Sequence, residues 1–155
     1  MTTQKPVVLI TGGGIGIGRS TALAFSKAGY HIVVTDVLEA EGKAVVAEIT
    51  AQKGSAEFHK LDVRSTAQSD AIVADIEKLY TESQQHLGGK LDFVLHSIGM
   101  SVNIRKNIPY TDSNYEFFQK GIDVSALSFH KMLSVAYKQD ALNEHASVVA
   151  LTYIA

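Results

Sequence analysis

The chain has 155 residues, about one domain at the usual ~150 residues per domain, and with 46% hydrophobic and 19% charged residues it can bury a full core and is not of disordered composition. Fourteen Lys and Arg against sixteen Asp and Glu leave a net charge of -2 with no basic run, so the electrostatic footprint of a nucleic-acid binder is missing. No apolar run approaches the ~20 residues that cross a bilayer, the run after Pro6 stops at Thr11 and is too short for a secretory leader, and the lack of Cys excludes disulfides, thiol catalysis and Cys-based zinc sites, leaving a cytoplasmic protein as the default expectation.

Short β-branched runs alternate with helical stretches. Residues 7–10 form an apolar run that ends in a glycine cluster, and 21–29 predict a helix stopped by Gly29. The next strand is 31–35, ending at Asp36. A helix over 39–53 carries Val45, Val46 and Ile49 and stops at Gly54. Residues 56–61 are a weaker strand. Ser65 and Gln68 have capping-box spacing ahead of a helix to about 86. Strand 91–95 is followed by a loop over about 97–109. A second capping box, Ser113 with Glu116, opens a helix to about 137, and 147–153 is the fifth strand. Strands alternating with helices predict an α/β fold: one doubly wound, three-layer αβα domain over residues 1–155, with five parallel strands in the order 3-2-1-4-5. The apolar first, second and fifth strands are expected to be buried on both faces.

The glycine cluster reads Thr11-Gly12-Gly13-Gly14-Ile15-Gly16-Ile17-Gly18. It follows a strand and opens a helix, and Asp36 ends the next strand 18 residues after Gly18. Gly12 suits the tight turn. Gly16 leaves room for a pyrophosphate at the backbone, and Gly18 lets the helix pack closely on the sheet. The free N–H groups and dipole of the helix start would face the phosphates, with Ile17 beside them. Asp36 is placed to accept from both ribose hydroxyls and to repel a 2′-phosphate, favouring NAD. The alternative is a glycine-rich turn that binds nothing, with Asp36 as a helix N-cap.

The spacing Gly12-x-x-x-Gly16-x-Gly18 after Thr11 resembles the short-chain dehydrogenase/reductase family. The resemblance implies that Asp62 and Val63, ending the third strand, contact the adenine ring. Taken alone, Asp62 could equally cap a turn. Three later positions depart from the main branch of the family. His96-Ser97-Ile98-Gly99 stands after the fourth strand, Val124-Ser125 lies in the long helix, and Leu151-Thr152-Tyr153 ends the fifth strand. These resemble the enoyl-[acyl-carrier-protein] reductases, which reduce the trans-2 double bond of a fatty-acyl chain. That likeness adds Ser97 and Gly99 to the cofactor set and makes Tyr153 the candidate catalytic residue, near the substrate carbonyl. Residues of about 5–64 resemble the main branch and 90–155 the enoyl branch, so a recombined chain joined between about 64 and 90 is expected, the alternative being a natural intermediate sequence.

Chemistry of this family requires a Tyr with a Lys four or seven positions later, the Tyr acting as general acid. None of the six tyrosines, Tyr30, Tyr80, Tyr110, Tyr115, Tyr137 and Tyr153, has that lysine within the chain. The expectation is therefore an NAD(H)-binding domain with little turnover. The alternatives are part of an enoyl reductase or an engineered recombination that binds nothing. The scattered His31, His59, His86, His96, His130 and His145 predict no metal site, and no nucleic-acid or membrane partner is expected. Self-association is expected, through the uncharged edge of the fifth strand or through the 113–137 helix, whose Phe117, Phe118, Phe129 and Met132 exceed the needs of one inward face.

Overall fold

A computed structural model describes residues 5–63, 69–87 and 89–152. The strands are β1 (Val7–Thr11), β2 (His31–Asp36), β3 (Ser55–Lys60), β4 (Leu91–His96) and β5 (Leu142–Ala150). They form one parallel sheet in the expected order β3-β2-β1-β4-β5. The helices are α1 (Gly16–Lys27), α2 (Glu39–Ala51), α3 (Ser69–Leu87), α4 (Val102–Arg105), α5 (Tyr115–Ile122) and α6 (Ser128–Lys138).

Strand pleating divides the core. Val8, Ile10, Ile32 and Val34 point to one face, against Ala22 of α1 and Val45 and Ile49 of α2. Val7, Leu9 and Val33 point to the other, against Ile76, Leu79 and Tyr80 of α3 and Met132, Val135 and Ala136 of α6. This is the three-layer arrangement that successive crossovers impose on a parallel sheet. The Tyr80 hydroxyl donates to the Met132 carbonyl at 3.1 Å, tying α3 to α6, and burial pushes its pKa up.

Several boundaries differ from the sequence reading. α1 starts at Gly16, directly off the glycine loop, rather than at 21. The stretch expected to be a loop holds α4, capped by Ser101, and a 3₁₀ turn at Tyr110–Asp112 follows it. Asn114, not Ser113, caps α5 by accepting from Phe117 N at 3.0 Å. The long helix is interrupted by a π-helical turn at Asp123–Leu127. β5 begins at Leu142, and its pairing jumps from Leu91↔Leu142 to Phe93↔Ser147, so residues 143–146, the polar Asn143, Glu144 and His145 among them, bulge within the strand. Nor is β5 buried on both faces, since it lies at the sheet edge. The proposed box at Ser65 and Gln68 lies outside the described residues.

The aromatic surplus of the long helix also differs. Met132 is in the core, the Phe129 ring packs 5.5 Å from that of His96, and Phe117 lies under the Lys106 ammonium at 4.5 Å. Phe118 alone of the four is strongly exposed, together with Tyr115, Ile122, Leu127 and Tyr137.

Candidate functional site

The chain leaves β1 through α1 toward β2 on one side, while β4 lies on the other. Helices therefore diverge at the C-terminal ends of β1 and β4, and ligand clefts form at such a switch point. A cleft of about 520 Å³ opens there.

Its floor is the glycine loop. Gly12 has φ +69°, and a Cβ on it would stand 2.6 Å from the Ser97 carbonyl oxygen, so only glycine fits between β1 and β4. Gly16 has φ +55° and would meet no heavy atom within 4 Å, which leaves its backbone open to a group in the cleft. Gly18 acts differently from the sequence reading: its Cβ would lie 2.1 Å from the Gly12 carbonyl oxygen, so it lets α1 close on the loop's own first turn. α1 has neither a capping side chain nor an acid in its first turn. Its N–H groups and positive dipole end are available to an anion.

Asp36 is buried, and its carboxylate holds the loop. Oδ2 accepts from Gly14 N and Oδ1 from Leu38 N, both at 2.9 Å. A carboxylate offers about four lone-pair sites, so about two remain for the hydroxyls of a ribose. The N-cap position of α2 falls to Leu38, which disposes of the capping role for Asp36.

Gly12, Gly16, Ile17, Asp36, Asp62, Val63, Ser97 and Gly99 all line this one cleft, whereas Gly18 lies behind it. Tyr153 is outside the described residues; Leu151 and Thr152 reach the cleft wall. Sequence reasoning missed Leu38, Ile98, Met100, Arg105 and Val124, which also line it. Arg105 sits on α4, within the stretch read as loop, so nothing local marked it. Ser125 of the π-turn shapes the same wall by accepting from Met100 N at 3.0 Å. The open backbone at Gly16, the uncapped helix and the spare acceptors of Asp36 suit the pyrophosphate and ribose of a dinucleotide.

Residues 13–155 match the family model described as enoyl-(acyl carrier protein) reductase. The chain belongs to this family, within the short-chain dehydrogenases/reductases. Among curated proteins, this enoyl reductase-family chain is 40% identical over 94 residues to Probable oxidoreductase EphD of Mycobacterium tuberculosis, covering 61% of the chain and 14% of EphD. It is 32% identical over 124 residues to the short chain dehydrogenase/reductase astE of Aspergillus oryzae, covering 79% of the chain and 43% of astE. The FabI–NADH complex from Alistipes finegoldii is 37% identical with a TM-score of 0.79, over 97% of this chain and 52% of that one. The chain thus spans about half, or less, of each of these three proteins. Among the described residues, no group of three His, Cys, Asp or Glu side chains could hold a metal ion, and no helix is long and apolar enough to cross a membrane.

Proposed function

We propose that these 155 residues form one domain that binds NAD(H), and that they are the cofactor-binding portion of an NADH-dependent enoyl-acyl-carrier-protein reductase working in the cytoplasm. The observation that carries this reading is Asp36, whose buried carboxylate anchors the glycine loop while keeping acceptors for a ribose. The likeness to the FabI–NADH complex supports it. A nicotinamide cofactor bound here would supply the hydride for reduction of the double bond. The pyrophosphate sits at Gly16, Ile17 and the start of α1, the adenosine ribose at Asp36, and the adenine by Asp62 and Val63. Ser97 and Gly99 line the nicotinamide half.

NADH is preferred over NADPH because a 2′-phosphate would meet the Asp36 carboxylate. By its resemblance to the enoyl branch, Tyr153 is the residue that would serve the substrate carbonyl. Turnover by these residues alone is slow, since no tyrosine has its lysine partner among them and a general acid is worth ~10²–10⁴-fold. Self-association through the β5 edge or the exposed face of α5 and α6 belongs to the same reading.

Titration with NADH and NADPH, followed by nicotinamide fluorescence, tests the proposal. Saturable NADH binding, weaker NADPH binding and negligible oxidation of NADH by a crotonyl thioester are expected. NADPH binding as tight as NADH sinks the Asp36 argument.

A further inference from the structure

We propose that His96 is a positioning residue: a neutral imidazole, protonated at Nε2, that latches the root of the glycine loop to α6, the helix that follows the cleft-lining Val124. The inference rests on reading that cleft as a dinucleotide site.

His96 ends β4 and is buried. Its Nδ1 lies 2.8 Å from Thr11 Oγ1 and its Nε2 lies 3.0 Å from Ser128 Oγ. Thr11 is the residue immediately before Gly12, and Ser128 opens α6 just after the π-turn. The imidazole thus joins β1, β4 and α6 through side-chain hydrogen bonds.

The proton positions follow from one hydroxyl. Ser128 Oγ lies 2.6 Å from the Val124 carbonyl oxygen, and two oxygens that close require a hydrogen between them. The single Ser128 hydrogen is therefore committed to Val124. Ser128 can only accept from His96, so Nε2 carries the ring proton. Nδ1 is then bare and accepts from the Thr11 hydroxyl. Burial lowers the His96 pKa to about 4, in keeping with a ring that holds one proton near neutral pH.

The latch bears on the cofactor through the backbone. The Thr11 carbonyl accepts from Ser97 N at 3.0 Å, and Gly12 is fitted against the Ser97 carbonyl. Turning the Thr11 side chain or moving β4 would displace the loop relative to Ser97, which lines the nicotinamide half of the cleft. Such a residue affects binding through geometry without touching the ligand.

The test combines a long-range ¹H–¹⁵N spectrum of the imidazoles at pH 7 with NADH titration of three variants. The wild-type spectrum should show His96 protonated at Nε2 with Nδ1 accepting. In Thr11→Val the Nδ1 signal should move to that of a bare nitrogen, with NADH affinity falling about fivefold, the worth of one net hydrogen bond. In Ser128→Ala the proton should distribute between the two nitrogens. Tyr80→Phe removes a comparable buried hydrogen bond away from the cleft and should leave NADH affinity within about twofold. A proton on Nδ1 in the wild type overturns the proposal, and so does an equal loss of affinity in Tyr80→Phe. If the wild type takes up no NADH, the proposed function fails instead. The spectrum and amide exchange at Gly13 and Gly14 in Thr11→Val then decide the latch alone: unchanged exchange overturns it, faster exchange supports it.

Discussion

Every residue of β1 and β2 is buried, whereas most of β5 is exposed along its nine residues. The first two strands lie inside the sheet: β1 runs into the glycine loop, and β2 ends at Asp36, whose carboxylate holds that loop through Gly14 N. β5 has β4 on one side, carries a bulge and leaves Val149 and Leu151 partly open to solvent. The difference separates two uses of one sheet. Around the glycine loop the backbone packs so closely that a Cβ at Gly12 or Gly18 would stand under 3 Å from a carbonyl oxygen. At the β5 edge the strand need only close the core beneath it, so its surface tolerates change.

Four experiments can break or sharpen that contrast. The largest effect belongs to Gly18→Ala. Its Cβ would meet the Gly12 carbonyl at 2.1 Å, backbone against backbone. A loss on the order of 4 kcal/mol is expected by chemical denaturation, together with loss of NADH binding. A stable, NADH-binding Gly18→Ala protein would falsify the tight fit of loop and helix.

Acid comes next. The folded-state pKa of His96 is depressed to about 4 by burial, below the 6.5 of the unfolded chain. The unfolded state binds more protons between those values, so stability is complete above pH 6.5 and declines as pH falls toward 4, by about 3 kcal/mol. His31, buried and with Nδ1 2.6 Å from Ser55 Oγ, is also lowered by burial and adds in the same direction. Urea melts between pH 7 and 4 check this, and a flat profile contradicts a neutral buried ring. Asp36→Ala follows. It strips the acceptors of two backbone amides and should cost ~2 kcal/mol while relaxing the preference for NADH over NADPH. Finally, Val149→Lys on the edge strand should change stability by no more than ~0.5 kcal/mol. Light scattering should show less association if copies meet through that edge, and no change if the exposed face of α5 and α6 is the contact.

The same contrast governs what could be read from the amino-acid order. The glycine spacing, the acid closing β2 and the alternation of strand and helix are local patterns, and they located the sheet order and the Gly12, Gly16, Ile17 and Asp36 side of the cleft, while Asp62, Val63, Ser97 and Gly99 came from the family resemblance. What was misread depends on distant partners. Ser113 has the right chemistry for a cap, yet Asn114 takes the role because its own backbone is held by Asn103, whose side chain both accepts from Asn114 N and donates to Asn114 O. The start of β5 was hidden because Asn143, Glu144 and His145 sit in a bulge and follow no two-residue alternation. The partners of His96 lie 85 and 32 residues away in the chain, so nothing adjacent to it announced a role.

The π-turn at Asp123–Leu127 has a consequence for how the chain can vary in length. Such a turn holds one residue more than an α-helical turn would. Excising a single residue there, such as Ala126, would let the helix run regularly, and because the surplus residue is taken up within one wide turn, the segments on either side would keep their phase. The same deletion inside α6, ahead of Met132, has no wide turn to absorb it and would rotate everything beyond by about 100°, the angle per residue of an α-helix. Met132 would then leave the core. The chain can therefore lose a residue at the π-turn at far less cost than one turn later.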